Sequence, residues 1–160
     1  MRERGFTLIE LVVVVAIIGT LLAIGSMQFS SMQRKSMVEA QARKIYSTLT
    51  DVRVEAMYTK TARAVLLNGM QLQIYPSGTA TGTPSAVIPL SFAMADSTGG
   101  SAIVFDSHGI LQTECSICVQ PGGVAENPGY IDSVVVSTAR SYMGKRQTGG
   151  TCVPANINQR

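Results

Sequence analysis

The feature that most constrains this chain is a glutamate inside an apolar run. Residues 6–29 read FTLIELVVVVAIIGTLLAIGSMQF, and Glu10 is the single charge among them. A stretch of this kind is about the 20 residues needed to cross a bilayer. Arg2 and Arg4 precede it, which places its start on the cytoplasmic side. A carboxylate at the centre of a membrane helix costs on the order of 2.5–3.5 kcal/mol, so ordinary signal cores avoid one. Its presence is a functional signal that asks for a named partner.

Three readings of this N-terminus compete. A secretory signal peptide would be cut after the core, at the small residues Ala23-Ile24-Gly25. A plain signal anchor would not be cut. A leader cut before the core would leave the whole apolar run in the mature protein. Glu10 selects the third, and its bland account is an acid in a first helical turn, favoured by the helix dipole.

The stretch Gly5-Phe6-Thr7-Leu8-Ile9-Glu10-Leu11-Val12 closely resembles the type IV prepilin signature. The resemblance implies cleavage by prepilin peptidase between Gly5 and Phe6, and methylation of the new Phe6 amine. It implies that Glu10 neutralises the N-terminal amine of a neighbouring subunit during assembly. The implied partners are other pilins or pseudopilins, the peptidase, an inner-membrane assembly platform and membrane lipid. The implied location is the bacterial inner membrane, single-pass with a periplasmic head, and then a pilus or pseudopilus filament.

Beyond the run, Val38, Ala42, Ile45, Leu49, Val52 and Ala56 recur at steps of four and three, one helical stripe. Gln41, Arg43, Lys44, Asp51, Arg53 and Glu55 cover the other faces. No proline occurs before Pro76. The pattern predicts one helix from about Phe6 to about Thr59, roughly 80 Å long. The alternative is two helices broken near Gly25-Ser26. The organisation expected is a leader over 1–5, a transmembrane half-helix over 6–29 and a periplasmic head over 30–160. Within the head, the amphipathic half-helix spans 30–59 and a β-rich part spans 60–160.

After Thr59 the period changes to that of strands. Ala62–Leu67 and Met70–Tyr75 flank Asn68-Gly69, a hairpin pattern suited to a two-residue turn. Residues 76–86 are rich in Pro, Gly, Thr and Ser and read as a loop. Val87–Phe92 reads as a strand that Pro89 confines to an edge. Ala102–Phe105 and Ile110–Thr113 suggest a second hairpin turning at Asp106–Gly109, and Ser133–Ser137 another strand. The segment from Cys118 to Tyr130 reads as irregular. The fold class is therefore α+β, a pilin fold with a long N-terminal helix packed on an antiparallel β-sheet head.

Asp51–Ala56, Ile103–Gly109 and Val134–Lys145 resemble, respectively, the helix end, the hairpin and the last strand of GspH/FimT-type minor pilins and pseudopilins. That resemblance implies a structural subunit, without enzymatic activity or cofactor, that initiates or primes a type IV pilus or type II secretion pseudopilus. The Gly-Arg pair of that group's tail is disturbed here, since the chain runs Thr138-Ala139-Arg140 and later Gly144-Lys145-Arg146. An alternative is DNA uptake, as in some minor pilins of this type, through Arg140, Lys145, Arg146 and Arg160 in a glycine-rich tail. The formal charge of +3 is too weak to imply a nucleic-acid partner by itself.

Three cysteines, Cys115, Cys118 and Cys152, leave at least one unpaired within the chain. A periplasmic head sits where disulfides persist. Cys152 can pair with Cys118 or with Cys115, and the resemblance implies a disulfide-closed C-terminal loop. A Cys₃His zinc site with His108 is the sharper alternative. Asp106-Ser107-His108 tempts a hydrolase reading, but adjacent turn residues rarely align as orienter, nucleophile and base.

Overall fold

The computed structural model describes residues 7–123 and 129–160. The leader, the Gly5–Phe6 junction and residues 124–128 lie outside the described residues. The helix α1 runs from Leu8 to Thr59. Periodicity alone starts it near Phe6, but Thr7 takes the cap. Its hydroxyl accepts the Glu10 N–H at 3.3 Å and its carbonyl accepts the Leu11 N–H at 3.2 Å. Thr7 and Glu10 have the Thr-x-x-Glu spacing of a capping box. Gly19 and Gly25 do not break the helix.

The chain divides into two units, one ending at Arg34 and one running from Lys35 to Arg160. Every side chain described from Thr7 to Arg34 is exposed. In the second unit the stripe Val38, Ala42, Ile45, Leu49, Val52 and Ala56 is at most 2% exposed. It shares one core with Val65, Leu72, Phe105, Ile117 and Val134.

The head contains two antiparallel sheets where one was expected. Strands β1 (Arg63–Asn68), β2 (Gln71–Tyr75), β3 (Ala86–Pro89) and β5 (Ile103–Phe105) form one, in the order β3-β2-β1-β5. The other comprises β4 (Ala93–Asp96), β6 (Cys115–Gln120), β7 (Ser133–Val136), β8 (Ser141–Arg146) and β9 (Ile157–Gln159), in the order β4-β6-β7-β8-β9. As expected, Pro89 sits on an edge strand.

Several local expectations shift. Asn68 pairs with Gln71, so the first hairpin turns at Gly69-Met70 and not at Asn68-Gly69. Gly69 has φ 60° and Met70 stays at negative φ, the pattern of a turn with glycine at its first central position. The second hairpin is reduced to one bridge, Phe105 to Leu111. The strand expected over Val87–Phe92 ends at Pro89, and the chain starts a new strand at Ala93 in the other sheet. Cys118–Gln120, expected to be irregular, is strand. The basic C-terminal stretch is folded into β8 and β9 instead of forming a free tail, and Arg160 N–H donates to Met143 O at 3.1 Å.

Gln41 explains how the crossing between sheets is held. Its Nε2 donates to Phe92 O at 2.9 Å, and its Oε1 accepts the N–H groups of Ser91 and Phe92 at 2.9 and 2.8 Å. A helix residue that looked solvent-facing thus satisfies the backbone where the chain leaves one sheet for the other. At the far side of the head, β8 and β9 meet tightly at Gly144. A Cβ there would lie 2.5 Å from both Asn158 O and Ile157 Cγ2. We expect Gly144→Ala to push β9 off β8 and lower the urea midpoint of the head, by about 1–3 kcal/mol of stability, with Ile157–Gln159 amides losing hydrogen-exchange protection first.

Candidate assembly site

Of the residues from Thr7 to Ser26, four have polar side chains: Thr7, Glu10, Thr20 and Ser26. Three of them satisfy themselves on their own helix. Thr7 caps it, Thr20 Oγ1 donates to Ile17 O at 2.8 Å, and Ser26 Oγ donates to Ala23 O at 3.0 Å. That is what a hydrocarbon environment demands of a hydroxyl. Glu10 is different. Its carboxylate is exposed and bonds to no other described residue. Around it Leu8, Ile9, Leu11 and Val12 are 54–80% exposed. The most apolar 18-residue window of the helix has mean hydropathy 2.7 and no buried residue. An apolar surface of this extent marks contact with a membrane or with other proteins.

The head carries the remaining candidates. Cys118 and Cys152 form a disulfide with Cα atoms 6.0 Å apart, across 34 residues of chain. It lies in a small cluster with Val135 and Ile157, away from the main core. Cys115 is free, 3% exposed and part of the main core. Residues 115 and 118 are an odd number of positions apart on β6 and so face opposite sides of it. Burial, with Asp96 and Glu114 adding to it, pushes the Cys115 thiol up to about 12. With Cys118 and Cys152 joined, these thiols and His108 do not come together as a ligand set. His108 is exposed, on the turn Asp106–Gly109 whose last residue, Gly109, is buried. There Asp106 Oδ1 accepts the N–H groups of His108 and Ile110, both at 2.8 Å. The Ile110 bond most of all holds its carboxyl below the usual range.

The four basic residues of the C-terminal stretch are dispersed in role. Lys145 Nζ lies 3.0 Å from Oδ2 of Asp132, which is 1% exposed. Arg146 is 4% exposed, and its N–H donates to Asp132 Oδ1 at 2.9 Å. Arg140 stacks on Tyr142 and Arg160 on Tyr130, at 5.6 and 5.0 Å from the ring centres. Besides Gln41, two structural polar residues escaped the sequence reading. Asp132 organises β7 and β8, and only its place just before a β-branched run hinted at burial. Arg53, read as a solvent-facing residue, is 8% exposed. Its Nη2 donates to Ser137 O at 2.7 Å and its guanidinium lies 5.0 Å from the Phe105 ring centre.

Residues 1–26 match the model of the prokaryotic N-terminal methylation motif. No curated protein sequence matches the chain. Two crystal forms of the type IV minor pilin FimU from Pseudomonas aeruginosa PAO1 are similar in structure. In space group P21 the TM-score is 0.57 at 17% identity, covering 71% of this chain and 92% of FimU. In space group P65 the TM-score is 0.53 at 18% identity, covering 67% and 92%.

The cysteine geometry sets an expectation. The native protein should show no thiol that alkylates at pH 8, and one, Cys115, after unfolding without reductant. The neutral thiol's contribution to stability is full below its ordinary pKa of 9.0 and is lost as pH rises towards about 12. Replacing Cys118 and Cys152 by serine should cost about 4 kcal/mol in urea unfolding, the loop-closure value for this separation.

Proposed function

We propose that this type IV pilin-like chain is a filament subunit whose apolar helix is both its membrane anchor and its assembly element. The chain is pilin-like in its N-terminal motif and in its fold. On this reading prepilin peptidase cuts between Gly5 and Phe6, and the new Phe6 amine is methylated. Glu10 then pairs with the Phe6 amine of a neighbouring subunit. In the filament the chain is a minor subunit that initiates or primes a type IV pilus or type II secretion pseudopilus, in keeping with its likeness to a minor pilin.

One observation carries the proposal. Within an apolar helix whose hydroxyls all bond to their own backbone, the Glu10 carboxylate finds no partner among the described residues. A charge there is stable only if another molecule supplies the counter-charge. Two opposite charges about 4 Å apart attract by about 1 kcal/mol in water and about 4 at an effective dielectric of 20. Pairing therefore rewards a neighbour that brings a cation to one axial offset. The N-terminal amine, on Phe6 four positions before Glu10 in the cut chain, is such a cation.

The account predicts a separation of functions. Glu10→Ala should enter the inner membrane more readily, since no carboxylate goes into lipid. It should still be cut, and its head should resist protease as the wild type does. Its recovery in sheared filaments, or its crosslinking to neighbouring pilins, should fall about tenfold, the equivalent of roughly 1.4 kcal/mol. Normal incorporation of Glu10→Ala would contradict the role given to Glu10.

A further inference from the structure

A groove of about 590 Å³ lies between β5 and the chain leading into β6. It exists because a hairpin fails to close. Asp106–Gly109 turns the chain back, Asp106 N–H donates to Ile110 O at 3.0 Å, and Phe105 bridges Leu111. There the two limbs part. Leu111 N–H donates to Thr138 O at 3.2 Å, and the chain runs on into β6, in the other sheet. Among the described residues no further backbone bond spans the gap beyond that bridge.

β5 is thereby left as a sheet edge, paired in its sheet with β1 alone. Backbone groups alternate in direction along an antiparallel strand. Since Asp106 faces the return limb, Val104 turns its N–H and C=O the same way, towards the groove. Val104 and Ala102, the residue just before β5, both line it. An edge of this kind is a template for another strand. Asp106 and Glu114 also line the groove, and no lysine or arginine does. The Asp106 carboxylate has one cationic candidate beside it, the exposed His108, with Nδ1 3.8 Å from Oδ2. Glu114 has none among the described residues. The wall between these acids is apolar at Val104 and Ile110.

We infer that the groove takes an extended segment of another polypeptide as an added strand on β5, with a lysine or arginine of that segment set against Glu114 and Asp106. Main-chain bonds to the edge supply the general affinity, and the acids choose the side chain. The volume is within the roughly 300–1,000 Å³ common for binding clefts. The partner is thus a cationic strand and not an acidic polymer such as DNA, which these carboxylates would repel.

The test uses the full chain in detergent micelles with Ile, Leu and Val methyl labels. Three probe peptides are titrated: acetyl-Thr-Val-Lys-Val-Thr-amide, the same peptide with Glu for Lys, and the Lys peptide N-methylated at alternate residues. The Lys peptide should shift the Val104 and Ile110 methyls. The Glu peptide should bind about tenfold more weakly, and the N-methylated one should not bind. In Glu114→Lys, an exposed substitution that leaves the core untouched, the preference between the Lys and Glu peptides should reverse. The inference is overturned if no peptide shifts these methyls, or if binding ignores N-methylation or charge. Cross-strand contacts in solution between Gln112–Thr113 and Ile103, showing that the chain's own limb fills the groove, would overturn it too.

Discussion

The structure depends on a carboxylate, that of Glu10, with no counter-charge among the described residues. Glu10 stands on a stretch of helix, up to Ser26, that satisfies its hydroxyls internally and leaves its apolar side chains exposed. Water tolerates the acid but not the surface. Lipid tolerates the surface but not the acid. The two demands are met together only where other apolar helices surround the segment and one of them brings a cation. A requirement that is awkward for an isolated molecule thereby becomes a condition for association, and it holds at one axial offset. On the proposed reading, the N-terminal amine made by cutting before Phe6 would meet that condition with no additional residue.

The head solves a different problem with ordinary means. Between Val38 and Ala56, α1 is amphipathic, and its stripe closes a core against two sheets. Polar residues at the margins of that stripe then do specific jobs. Gln41 satisfies the backbone between the sheets, and Arg53 reaches Ser137 just beyond β7. The disulfide ties the last loop to β6 on the sheet face opposite the core, so the C-terminal strand is held both by its ladder and by a covalent link. These contacts build the head's framework from side chains that sequence alone would place in solvent.

Legibility in the sequence followed physical periodicity. The stripe from Val38 to Ala56 was readable because burial on one face leaves a 3.6-residue signature, and all six of its residues are buried. β2 was readable for the same reason, with Leu72 and Ile74 alternating against Gln71 and Gln73. β6 was not, because it is buried on both faces and Cys-Ser-Ile-Cys-Val carries no alternation. β8 and β9 were masked by Gly144 and by the charged residues Lys145 and Arg146, which Asp132 meets through the Lys145 ammonium and the Arg146 backbone N–H. The hairpin turn moved by one residue because Asn-Gly fits a type I′ turn by composition, while the observed ladder needs glycine one place earlier in the turn. The choice between the two cysteine pairings rested on which side of β6 faces the core, a matter of register that spacing does not encode.

The central claim is that the apolar helix is retained, with Phe6 as its first residue, so that Glu10 has an amine to pair with. The most direct measurement is the intact mass of the protein extracted from membranes. The account predicts loss of Met1–Gly5 and one added methyl on Phe6. A mature chain beginning at Ser26 would remove the helix and Glu10 together, and would contradict it.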